Sequence, residues 1–211
     1  MDHRLALRHL LGLAASICLA GCAVSDSTQY YTLGQAAAGS VASRANASAS
    51  RSSAAGTGSV TIGVGPVTVP SYLDRSQIVT RTSADQVELS MFHRWAEPLE
   101  DGMSRTLAEE IGAHVPSDRI VMFPWRGAAA RAIQYQVVVA VVRFDGRPGG
   151  EVTLDTRWRI LGSNGDELAF RRSTVIEAAA GPGYDRMVAA MARALVALAQ
   201  EIAAEIRSMP R

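Results

Sequence analysis

Beyond residue 22 the chain carries two histidines, His93 in a Phe-His-Arg-Trp stretch and His114 near a helix end. Neither has a second histidine or a cysteine at the short spacings that hold zinc or another transition metal, so no metal site is expected. The chain has no Gly-x-Ser-x-Gly elbow for acyl transfer and no Gly-x4-Gly-Lys-[Ser/Thr] loop for phosphate. Gly63-Val64-Gly65-Pro66 lacks the third glycine and the following helix of a dinucleotide fingerprint, and is expected to be a turn. The adjacent carboxylates Glu109 and Glu110 fall on a helical stretch, where neighbours in sequence diverge around the axis. Nothing here asks for catalysis, so the expectation is a protein that is not an enzyme and has no cofactor.

The residue that does ask for chemistry is Cys22. Arg4 and Arg8 form a positive start, and Leu10 to Ala20 is an apolar run too short to span a bilayer, the pattern of an export signal. Leu19-Ala20-Gly21-Cys22 then resembles the lipobox of bacterial lipoproteins, in which small residues admit a peptidase to the bond before an acylated cysteine. The resemblance implies that residues 1–21 are a discarded signal peptide and that Cys22 is the mature N-terminus. The other cysteine, Cys18, leaves with the leader, so the mature chain has neither free thiol nor disulfide. At roughly 0.8 kcal/mol per buried methylene one acyl chain anchors marginally, whereas the three usual in such lipoproteins leave essentially no soluble population. Past Cys22 no apolar run reaches transmembrane length, the longest being Val137 to Val142. Ala23 stands where an Asp would resemble an inner-membrane retention signal, which favours the outer membrane, facing the periplasm.

After cleavage about 190 residues remain, enough for one domain with a real core. All 21 basic residues are arginine, they balance 20 acidic ones, and they are scattered, so no nucleic-acid stripe forms. Ala36 to Gly58 is almost wholly Ala, Ser and Gly, and cannot bury enough apolar surface to offset its ordering entropy, so it is expected to be disordered.

Val60, Ile62 and Val64 predict a strand that ends in a turn at Gly65-Pro66. Gln77 to Thr82 and Val87 to Met91 predict a hairpin, and Leu99, Met103, Leu107 and Ile111 one helical stripe closed by Pro116. Ile133 to Phe144 has the all-apolar middle of a central strand and leads to a turn signal at Asp145-Gly146. Val152, Leu154, Thr156, Trp158 and Ile160 alternate with charged or polar residues, and Asn164-Gly165 returns the chain through Leu168, Phe170, Thr174 and Ile176. After Gly181-Pro182-Gly183, Tyr184 to Arg207 predicts a long helix. The sum is an α+β fold, an antiparallel sheet with two main helices packed on one face.

Three aromatic, proline and arginine clusters remain, Gly65 to Arg75, Phe92 to Leu99 and Phe123 to Trp125. Tyr72, Asp74, Arg75, Arg94 and Trp95 are the candidates for a partner-facing or domain-organising surface, with Tyr72 and Asp74 weighted towards structure and Arg75 towards the interface. The order lipobox, YYTLG, IGVGPVTVPSYLDRSQIVTR, RWAEPLEDG, FPW, a strand ending in RFDG and a Trp-containing strand resembles the ABC-type transport auxiliary lipoproteins, the PqiC-like family. The resemblance covers nearly the whole mature chain and is most specific at VPSYLDR and RWAEPL. It implies an outer-membrane lipoprotein that works with inner-membrane transporter subunits and a periplasmic MCE-domain protein to move phospholipid or other hydrophobic molecules, and it leaves room for a homo-oligomer.

In that frame Tyr30 to Leu33 is the first strand, residues 30–211 are one domain with a loop at 36–58, and residues 22–29 are a short tether. At roughly 3.3 to 3.6 Å per residue the tether reaches no more than about 25 Å from the membrane. Two functions follow, a docking subunit that grips a periplasmic partner and a lipoprotein that itself holds a hydrophobic ligand in an apolar cavity.

Overall fold

A computed structural model of the chain describes residues 27–34, 60–117 and 119–209. The leader, Cys22 and the Ala36 to Gly58 stretch lie outside those residues. The elements run β1 (Gln29–Tyr31), β2 (Thr61–Thr68), β3 (Gln77–Arg81), β4 (Val87–Trp95), α1 (Leu99–His114), β5 (Arg119–Met122), α2 (Ala128–Ala132), β6 (Tyr135–Gly146), β7 (Glu151–Gly162), β8 (Glu167–Ala178) and α3 (Tyr184–Ser208).

The fold is α+β, with eight strands in one sheet. The β3–β4 hairpin and the β6–β7–β8 meander are antiparallel as expected. The sheet as a whole is mixed, however, because β1 runs parallel to β4 and β2 parallel to both β5 and β6. Parallel neighbours need a crossover and so come from strands far apart in sequence, where no turn signal announces them. β6 is the hub. Its N-terminal half pairs β2, its whole length pairs β7, and its last residue, Gly146, makes the sole backbone pairing with β3, opposite Thr80.

One face of the sheet packs on α1 and α3. The stripe of α1 is buried along its length, and so are Val152, Leu154, Thr156, Trp158 and Ile160 on β7. α3 buries Met187, Met191, Leu195, Leu198, Ile202 and Ile206 together with Ala190, Ala194, Ala199 and Ala203. Its alanines let helix and sheet approach closely. By length and hydropathy α3 could cross a membrane, but most of that apolar window is buried within the domain, as befits a core helix.

Two local expectations are corrected. β2 does not turn at Gly65-Pro66 but continues to Thr68 across a register shift between Val64 and Val67 and a cis Gly65-Pro66 bond. Gly65 is required there because its φ is +121° and a Cβ would lie 2.6 Å from Phe123 Cβ. Asp145-Gly146 is not a turn either. β6 runs through it, and Gly146 is glycine because a Cβ would lie 2.5 Å from the Glu151 carbonyl oxygen. The turn falls later, where Gly150 N–H donates to Arg147 O.

On β8, Leu168, Phe170 and Ile176 point outward and are about half exposed. Register places Ala169, Arg171, Ser173, Val175 and Glu177 on the helix side, opposite Ile160, Trp158, Thr156, Leu154 and Val152. Small Ala169 and Ser173 are buried there, and Ser173 Oγ accepts from Trp158 Nε1 at 2.8 Å. The two charged residues meet the rim of α3, Arg171 on Glu205 at 2.9 Å and Glu177 on Arg193 at 3.0 Å. β5 and α2 were not foreseen, being only four and five residues long.

Candidate functional site

The VPSYLDR segment forms the connection from β2 to β3, and three contacts pin it. Val69 N–H donates to Glu100 Oε1 in the first turn of α1 at 3.0 Å, Leu73 is buried, and Tyr72 OH donates to Asp145 Oδ2 at 3.0 Å. Pro66 and Pro70 limit the conformations that these contacts must select. Beyond Leu73 the chain turns outward, with Arg75 N–H donating to Leu73 O. Asp74 and Arg75 are exposed at that tip. Asp74 makes no hydrogen bond or ion pair among the described residues, so its expected structural weighting has no contact behind it. Arg75 reaches only its own segment, donating to Ser71 O at 3.5 Å.

Trp95 ends β4, where its N–H donates to Ser76 O at 2.7 Å and its indole is buried. It meets Asp74, Arg75 and Ser76 around a shallow hollow closed on the other side by Glu97, Pro98 and Leu99. VPSYLDR and RWAEPL, far apart in sequence, are thus brought together. Glu97 is held by an ion pair to Arg105 of α1, which also donates to Leu33 O. Arg94 sits apart from the hollow, between Tyr30 of β1 and Gln77 of β3 in the sheet. It is half-buried, and its Nε makes no hydrogen bond among the described residues.

Tyr72 is separated from this surface by its role in a buried ionic cluster. Asp145 has no exposed side chain, and Arg81 grips it with two bonds, Nε to Oδ1 at 2.9 Å and the guanidinium's far nitrogen to Oδ2 at 2.8 Å. Arg143 Nε donates to Oδ1 at 2.8 Å. Burial pushes the Asp145 carboxyl up, but the hydrogen bonds and charges of Arg81 and Arg143 outweigh it and hold it below its ordinary value. Burial, then the negative charge of Asp145, raises the Tyr72 phenol. The hydrogen bonds that Arg81 donates to Asp145 outweigh burial and raise the Arg81 guanidinium.

This cluster was missed in the sequence because Asp-Gly carries a turn signal. The available clue was RFDG itself, where a carboxylate follows Arg143 at the end of an apolar strand. Its position matters. β3 meets β6 through a single backbone pair, so Asp145, on β6, ties Arg81 of β3 and Tyr72 of the β2–β3 connection to the main sheet. The β1–β4–β3 unit, which carries the hollow, is fastened there.

Elsewhere His93 stacks on Tyr184 at the start of α3, with ring centroids 3.8 Å apart, and its Nδ1 lies 2.8 Å from Tyr31 OH. Among the described residues no three His, Cys, Asp or Glu side chains gather as a metal would need. The hollows beside Tyr135 and Leu168, beside Tyr30 and Val188, and beside Arg81 and Arg147 have volumes of about 340, 470 and 510 Å³. All three open to solvent, unlike the enclosed apolar chamber that a buried acyl chain needs. Phe123 packs edge-on against Trp125 with ring centroids 5.3 Å apart, and Phe123 remains half exposed, so the FPW cluster is surface rather than core.

A model of the family described as ABC-type transport auxiliary lipoprotein component matches residues 43–203. The chain is 29% identical over 143 residues to the intermembrane transport lipoprotein PqiC of Escherichia coli (strain K12), spanning 68% of this chain and 73% of that one. A crystal structure of an uncharacterized protein aligns with a TM-score of 0.65 at 23% identity, covering 85% of this chain and 99% of its own. A second, of a Xanthomonas campestris protein, aligns with a TM-score of 0.59 at 16% identity over 71% and 84%. At those identities the two structures show a shared fold.

Proposed function

The chain belongs to the family of ABC-type transport auxiliary lipoprotein components, and we propose that it is the lipid-anchored docking subunit of an MCE-type system moving phospholipid or other hydrophobic molecules across the envelope. It is held by acylated Cys22 on the outer membrane and faces the periplasm. There it grips the periplasmic MCE-domain protein, through which it joins the inner-membrane subunits. The observation that carries this reading is the direction of β1 and β4. Both run from the tether side towards Trp95, so the Arg75–Trp95 hollow lies further along the strands from the anchor, on the side a partner in the periplasm can reach.

Arg75 and Trp95 supply the residue types that most often carry interface energy. Arg75 has no structural partner beyond its own segment, whereas Tyr72 is committed to Asp145. Arg75→Ala should therefore leave thermal stability within about 0.5 kcal/mol, the range of ordinary surface changes, and weaken capture of the MCE-domain partner about tenfold. Tyr72→Ala should cost roughly 2 kcal/mol or more, with capture falling only as the folded fraction falls. Capture by Arg75→Ala equal to that of the wild type, measured on immobilised partner, would remove the hollow from the interface.

A further inference from the structure

β1 is only three residues long and covers β4 from His93 to Trp95. On that side the rest of β4, Val87 to Phe92, pairs with no other strand among the described residues, and four of its six side chains are apolar, with Glu88 and Ser90 between them. Met91 is 74% exposed, Leu89 41%, Phe92 39% and Val87 37%, while Tyr30 on β1 is 64% exposed. Val87 and Leu89 share one face, opposite Arg81 and Val79, and strand alternation turns the intervening Glu88 to the other. Soluble domains usually blunt such an edge with charge or cover it.

The path of the chain says what covers this one. Ser27 and Thr28, both exposed, lead directly into Gln29, which pairs with His93, the residue that follows Met91 and Phe92 on β4. The chain thus leaves the described domain two residues from the Gln29–His93 pair. From Gln29 to Cys22 is seven residues, a reach of at most about 25 Å. Hence an acylated Cys22 would keep Met91, the most exposed apolar side chain of the edge, and Phe92 close to the bilayer. Tyr, with an apolar ring and a polar tip, is suited to the headgroup level, and Phe and Met to the acyl boundary.

We propose that the Val87–Phe92 edge of β4, with Tyr30, is a membrane-contact surface that seats on the lipid bilayer and fixes the orientation of the anchored domain. The proposal rests on acylation of Cys22. Seating on this edge turns the Asn164-Gly165 end of the meander away from the bilayer, since that turn closes the β6 N-terminal end whereas β4 begins level with the β6 C-terminal end.

The test uses the full-length acylated protein in phosphatidylethanolamine/phosphatidylglycerol vesicles, with Met91→Cys or Ser163→Cys as the only free thiol. Each carries a nitroxide, and its accessibility to oxygen in the membrane is compared with that to a water-soluble nickel chelate. The expected result is an oxygen-to-nickel ratio several-fold higher at position 91 than at 163, unchanged when surface density is lowered tenfold. Equal ratios on protein whose mass shows the acyl chains overturn the membrane contact alone. A difference that vanishes on dilution assigns the edge to a second copy and also overturns it. A mass without acyl chains overturns the anchored reading and this proposal with it.

Discussion

Asp145→Asn should destabilise the domain by about 3 kcal/mol, because breaking a buried ion pair strands the partner charges, here Arg81 and Arg143. Both arginines retain some contact with water, which places the expected cost at the lower end for such changes. At roughly 2–4 °C per kcal/mol for a domain of this size, the midpoint should fall by about 10 °C. The pH dependence has a definite sign. The folded carboxyl titrates below its ordinary value, so its stabilisation is fully present above about pH 4, the unfolded value, and is lost as pH falls through the folded one. Thermal melts from pH 7 to pH 2.5 should show the wild type converging on the variant at the acid end. A variant within 1 kcal/mol of wild type at pH 7 would show that Asp145 does not fasten β3 to β6.

Cys22→Ser should abolish acylation and, with it, outer-membrane residence. The peptidase cuts the peptide bond before a cysteine whose sulfur is already acylated, so the precursor should accumulate with residues 1–21 attached. Loss of all three chains removes tens of methylenes, each contributing about 0.8 kcal/mol. A palmitate analogue should label the wild type and not the variant, and the outer-membrane fraction should be empty of the variant. Label on Cys22→Ser would overturn the lipobox reading.

The elements that could be read from sequence are those whose pattern is local. Trp158 and its alternating neighbours on β7, the Asn164-Gly165 turn, and the stripes of α1 and α3 all declare themselves within a dozen residues, and each is where it was expected. What could not be read depends on contacts distant in sequence. Asp145 looks like a turn residue until Arg81 and Tyr72, more than sixty positions away, are placed beside it. That Leu168, Phe170 and Ile176 face outward is not legible until α3 is seen to lie over the small residues Ala169 and Ser173. The candidate surface was half legible. Arg75 and Trp95 do meet, Tyr72 and Arg94 serve other places, and Asp74 is exposed at the tip.

Purification of the acylated full-length chain from solubilised envelopes, followed by mass spectrometry of everything that accompanies it, bears most directly on whether it docks a partner or holds a cargo. A docking subunit should bring down a periplasmic MCE-domain protein with inner-membrane transporter subunits, and no lipid in fixed proportion beyond the acyl chains on Cys22. A chain recovered without any such protein, carrying one non-covalent lipid per molecule, would contradict the docking role and make it a carrier.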